Sequence, residues 1–201
     1  MEEVRERVFT VIQNYLKTPP VIIWGSGATV PFGLPSMNTL NQILKDNIPD
    51  FDNNCDNLEI ELGKEKYNDL MPQIRNLIWN AISTVDSQVL QNLLISDGDE
   101  FIGIKKLVEK ISDAHPKVTN IITTNYDRII ENVLSFHNIP FTDGFLGKDL
   151  SLFNENLFSS KNIVNIVKVH GSLNWFEFGG EIRYLQKSIE SSVPQIICPG
   201  K

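Results

Sequence analysis

The 201-residue chain has little cysteine, little histidine, no basic run and no long apolar segment, and each shortage removes a class of protein. Only Cys55 and Cys198 are present, so there is no CxxC pair and no disulfide framework, and a reducing, cytoplasmic setting is expected. Histidine is confined to His115, His137 and His170, a scatter without zinc spacing, so no metal is expected. Lys and Arg number 18 against 25 Asp and Glu, a formal net charge of −7, which argues against direct nucleic-acid binding. Crossing a bilayer takes roughly 20 apolar residues, and no stretch approaches that, so no membrane role is expected. The opening MEEVRERVFT carries Glu2, Glu3 and Glu6, so no secretory leader is expected either.

What is present reads as one globular unit with a sizeable core. Residues 3 to 17 predict a helix whose Val4, Val8, Val11, Ile12, Tyr15 and Leu16 form one apolar stripe, stopped by Pro19 and Pro20. Val21 to Trp24 is an unbroken apolar run that suits a strand buried on both faces, leaving through Gly25-Ser26-Gly27. Residues 37 to 45 predict a helix. Residues 46 to 112 then form a mostly helical insertion, acidic at first, with Ile74, Leu77, Ile78, Ala81, Ile82 and Val85 at helical spacing, and a further helix over 101 to 112. Strand patterns return at 118 to 124 and 163 to 169, separated by a helix over 127 to 136. Short strands alternating with helices predict α/β with a mainly parallel sheet. Val193 to Ile197 reads as a further strand entry close to Lys201, so the sheet is expected to be incomplete at the C-terminus, completed by a longer parent chain or a partner.

One pattern imitates a calcium loop. Asp50, Asp52, Asn54, Asp56 and Glu61 fall at its ligand positions, but Cys55 replaces the glycine that permits the sharp turn, so a solvated acidic loop is expected.

Three segments carry candidate chemistry, each at a strand exit. In WGSGATVPFGLP, residues 24 to 35, glycines let backbone N–H groups approach a phosphate, with Ser26 and Thr29 as added donors; the competing role for both is capping the next helix. Val30 stands where dehydrogenase spacing needs glycine, and no GK[ST] follows. In ITTNYDR, residues 122 to 128, Thr123, Thr124, Asn125 and Asp127 occupy the end of a strand where open α/β sheets bind ligands, with helix capping again the alternative for Asn125 or Asp127. In VKVHGSLNWF, residues 167 to 176, His170 sits at a strand tip, where an imidazole accepts a proton or serves as a hydrogen-bonded support. His115 and His137 read as surface residues.

Taken in order, GSGATVPFGLP, TTNYD and VHGSLNW resemble the signature segments of the Sir2 (sirtuin) superfamily, most closely its bacterial SIR2-like NAD-hydrolysing branch found in anti-phage defence proteins. The resemblance implies a Rossmann-like SIR2-like NAD-binding domain over 1 to 201, the N-terminal part of a longer unit. It assigns Gly25, Ser26, Gly27, Ala28 and Thr29 to the NAD phosphates and adjoining ribose, and Pro35, with Gly33 and Leu34, to the loop over the cofactor. It gives Asn125 the nicotinamide ribose and the chemistry, Asp127 the nicotinamide pocket, and His170 with Gly171 the catalytic pair. Thr124 stands where deacylases have Gln, and Tyr126 where they commonly have Ile, so the nicotinamide pocket is expected to differ in shape. The four-cysteine zinc module of sirtuins is absent, which disfavours protein deacylation, and no element holding the adenosine ribose is found before Lys201.

The activity implied is hydrolysis of NAD to nicotinamide and ADP-ribose in bacterial defence, with NAD as substrate and a homo-oligomer or a defence subunit as partner. A non-enzymatic NAD or ADP-ribose sensor and an NAD-dependent deacylase are the alternatives.

Overall fold

A computed structural model describes residues 2–15, 21–113, 119–160 and 162–198. Leu16, the Pro19-Pro20 stop, His115 and Val118 lie outside the described residues.

The polar-tipped apolar runs become neighbouring parallel strands. β1 (Val21–Trp24), β2 (Thr119–Thr123), β3 (Phe141–Thr142) and β4 (Val164–Lys168) form one sheet in the order β1-β2-β4-β3. Every pairing in it is parallel, and Trp24, Thr123 and Lys168 lie in register at the carboxyl ends. Gly25, Asn125 and His170 therefore leave the sheet on the same side, which is what brings their segments together.

Between β1 and β2 the chain is helical: α2 (Met37–Asn47), α3 (Leu58–Leu62), α4 (Met71–Ile95) and α5 (Ile102–Ser112), preceded in the chain by α1 (Glu2–Tyr15). On α4 the spacing of Ile74, Ile78, Ile82, Val89 and Leu93 builds one buried stripe. It shares a core with Leu40 and Leu44 of α2, Ile121 of β2, and Ile129, Ile130, Val133 and Leu134 of α6 (Ile129–Phe136). The fold is thus mixed α/β, a Rossmann-like parallel sheet with helical insertions.

Four expectations change. β1 is not buried on both faces: it is an edge strand paired only with β2, and Ile23 is 84% exposed. The stripe predicted on α1 is likewise uncovered where it is described, with Val4, Val8, Val11 and Ile12 all exposed. Residues 193 to 197 do not extend the parallel sheet. β7 (Val193–Ile196) runs antiparallel beside β5 (Gly171–Phe178), which also pairs with β6 (Glu181–Tyr184), giving a second sheet in the order β6-β5-β7. The close approach of β7 explains Gly171: at φ +84° a Cβ there would lie 1.9 Å from the Gln195 carbonyl oxygen. His137 is half buried rather than on the surface, its Nε2 enclosed without a hydrogen bond.

The acidic stretch closes on itself. Glu61 is buried against Lys66 at 3.0 Å and also accepts hydrogen bonds from Lys64 and the Tyr67 hydroxyl. Burial alone would raise its carboxyl, but donation from Lys64, Tyr67 and Lys66 outweighs that and holds it at about 2. Among the described residues no helix is long and apolar enough to cross a membrane.

Candidate functional site

A cleft of about 630 Å³ opens at the carboxyl ends of β1, β2 and β4. Ser26, Thr29 and Pro35 line it from the β1 side, Thr124, Asn125 and Asp127 from the β2 side, and His170 from β4. Gly25, Gly27, Ala28 and Gly171 are not among its lining residues. The first three belong to the backbone turn that carries Ser26 and Thr29, while Gly171 is required by β7.

The turn after β1 is a pair of 3-10 turns in which Ala28 N–H donates to Gly25 O and Thr29 N–H to Ser26 O, both at 3.0 Å. These bonds leave the N–H groups of Ser26 and Gly27 outside the turn. A Cβ on Gly25 or Gly27 would meet nothing within 4 Å, and neither residue has a positive φ. Neither the backbone conformation nor any described neighbour demands glycine there, and the missing Cβ atoms leave the backbone of the turn open to close approach. The capping alternative for Ser26 and Thr29 falls, because Ser36 caps α2 by accepting from Thr39 N–H. The Thr29 hydroxyl instead donates to Ser26 O at 3.1 Å and accepts from Asn125 Nδ2 at 3.1 Å.

That last bond crosses from the β1 wall to the β2 wall and fixes the amide. With Nδ2 engaged, Asn125 Oδ1 keeps its capacity to accept a hydrogen bond. Asp127 is not the N-cap of α6, which is Arg128, but from the position before it its Oδ1 accepts from Ile129 N–H at 3.2 Å. Burial, opposed by Lys168 and reinforced by Glu131, raises its carboxyl to about 6. Lys168, fully buried, donates to the Asp127 backbone carbonyl and to Glu131 Oε1 at 2.7 Å. Asp86 of α4, also fully buried, takes Arg128 N–H at 2.6 Å and the guanidinium Nε and a terminal nitrogen at 2.9 and 2.6 Å. Tyr126 sends its hydroxyl to Ile197 O. The His170 side chain makes no hydrogen bond to another described residue.

The family model described as "SIR2-like domain" matches residues 119–191. A SIR2-like domain is present over part of the chain. The matched segment holds Asn125, Asp127 and His170, whereas the Gly25 to Pro35 wall lies before it. No curated protein matches the chain.

Sequence reasoning missed Glu59 and Ile82, which enter the cleft from α3 and α4 inside the insertion. Ile82 reads only as one member of a core stripe, and nothing in LEIEL marks Glu59. Asp86 and Lys168 were also missed; a lone Lys within an apolar strand was the available signal for the second.

Proposed function

We propose that the chain hydrolyses NAD to nicotinamide and ADP-ribose, acting as a SIR2-like NAD hydrolase. The carrying observation is the pair of glycines whose Cβ positions are open, at a cleft that also gathers Asn125, Asp127 and His170. The Ser26 and Gly27 N–H groups and the Ser26 hydroxyl suit phosphate oxygens, and the missing Cβ atoms give the space to reach them. Asn125 Oδ1 orients the attacking water or a ribose hydroxyl. His170 accepts the proton released as water adds to the C1′ carbon and the bond to the neutral nicotinamide breaks. Asp127 has one oxygen held by Ile129 N–H and one left for the carboxamide of nicotinamide. The turnover is NAD⁺ plus water to nicotinamide, ADP-ribose and a proton, which leaves through His170. By resemblance alone, the setting is bacterial anti-phage defence in the cytoplasm, with a homo-oligomer or an attached or separate defence subunit as partner.

The test is chromatography of products after incubating the intact protein, in its activated assembly where one is needed, with NAD and no acylated peptide. Nicotinamide and ADP-ribose are expected in equal amounts, with His170→Ala and Asn125→Ala each roughly a hundredfold slower while circular dichroism stays unchanged. Saturable NAD binding with no nicotinamide release makes the protein a sensor. Release only with an acylated peptide makes it a deacylase.

A further inference from the structure

A second cleft, of about 820 Å³, lies among α6, the loop after β3, β5 and β6, with Glu131 of the Lys168–Glu131 pair in its wall. We propose that it binds a small organic cation, a guanidinium or primary ammonium that also carries a carbonyl or hydroxyl acceptor. Two buried carboxylates, Glu131 and Asp143, line it. Lys168 is the ammonium paired with Glu131, and among the described residues Asp143 has no cation bonded to it, burial and the Glu131 charge pushing its carboxyl up. Arg128, at the rim, is already committed to Asp86. A buried charge without a partner is costly, and a bound cation is the partner this cleft lacks.

An independent observation points the same way. Asn174 of β5 is 3% exposed and lines the cleft, and its Oδ1 has no hydrogen-bond partner. It is a third acceptor waiting for a donor. Asn132 Nδ2 on α6 is the one orphan donor on the wall, which asks for an acceptor on the same ligand. Phe145 and Tyr184, edge to face with centroids 6.0 Å apart, give the aromatic surface over which an organic cation is favoured. Burial, followed by the Glu131 charge, pushes the Asp143 carboxyl up, and only the long 3.5 Å bond from Trp175 Nε1 reaches it from a side chain.

The experiment is calorimetric titration of the intact protein with argininamide acetylated at its α-amine, against citrullinamide acetylated in the same way, its neutral isostere, and against sodium chloride at matched ionic strength. Saturable binding of argininamide is expected, at least tenfold tighter than citrullinamide and weakened at least tenfold by Asp143→Asn. Should that variant not fold, Asn174→Leu serves instead; it removes an unsatisfied buried group, so it is expected to melt higher than wild type and still lose argininamide. No saturable heat with argininamide, or equal affinity for the neutral isostere, or unchanged binding in the variant, overturns the proposal. NAD turnover is a separate readout, so loss of one reading leaves the other standing.

Discussion

The two walls of the first cleft are held in opposite ways. The β2 tip, Thr123 to Arg128, is tied by hydrogen bonds to Thr29, Asp86, Lys168, Leu173 and Ile197. The β1 tip, Gly25 to Pro35, makes one side-chain hydrogen bond to another wall, Thr29–Asn125, beside its own short turns; apolar packing holds its far end, with Leu34 in the core and Phe32 stacked on Phe101, while Gly25 and Gly27 face open space. Groups that must act on a reacting atom gain from fixed geometry, because misplacement costs rate. A wall that only receives a ligand gains from bare backbone. The asymmetry matches a division between chemistry and binding, and it can be attacked from either side.

The largest expected effect is on the fixed wall. Asp86 is fully enclosed and spends both oxygens on Arg128, whose guanidinium is only 20% exposed. Asp86→Ala removes the anion and leaves a mostly buried cation and a backbone N–H without a partner, a loss of about 3 kcal/mol. Urea denaturation measures it. A loss near zero would mean that the β2 tip is not braced by the insertion and that its rigidity has another source.

An effect of opposite sign, at most as large, comes from Asp127. Its carboxyl titrates at about 6 in the folded protein against 3.8 ordinarily, so the folded state holds this proton more tightly than the unfolded chain. The resulting stability is complete below pH 3.8 and is lost as pH rises through about 6. Above that, the ionised buried carboxylate costs up to about 3 kcal/mol. Asp127→Asn keeps an acceptor for Ile129 N–H and removes the charge, so the variant is expected to be the more stable protein at pH 8, with the gap closing towards pH 4. Thermal melts at the two pH values decide it. A gap that does not depend on pH would show that Lys168 already compensates the charge and that the wall carries no electrostatic cost.

Much of this was legible in the sequence, for a physical reason. Val21 to Trp24, Thr119 to Thr123 and Val164 to Lys168 carry local signals, apolar runs ending in polar tips, and parallel pairing then fixes which ends meet. The insertion's helices follow from the spacing of Ile74, Ile78 and Ile82. What depended on distant closure was hidden. The β7 strand looks like any other apolar run until Gly171 lets it lie against β5, and Asp86 meets Arg128 across 42 residues with no local pattern to announce it. β1 misled because four apolar residues in succession describe a strand's composition and say nothing of whether both faces are covered.

The smallest change in stability tests the open wall. Gly27→Ala adds a methyl group that meets nothing within 4 Å, at a residue without positive φ, so the fold accepts it. The substitution narrows the unfolded ensemble, and stability is expected to stay level or rise by about 0.5 kcal/mol. If backbone approach by a phosphate is the reason for glycine, the same methyl group occupies the space that the ligand needs. The KM for NAD should then rise about tenfold, equivalent to roughly 1.4 kcal/mol, with kcat little changed because the β2 wall is untouched. A variant that binds NAD as well as wild type would remove the binding role from this turn and leave Gly27 without a physical explanation. A variant that loses kcat and keeps KM would show that the two walls are not divided as described, and that the β1 turn takes part in the transition state.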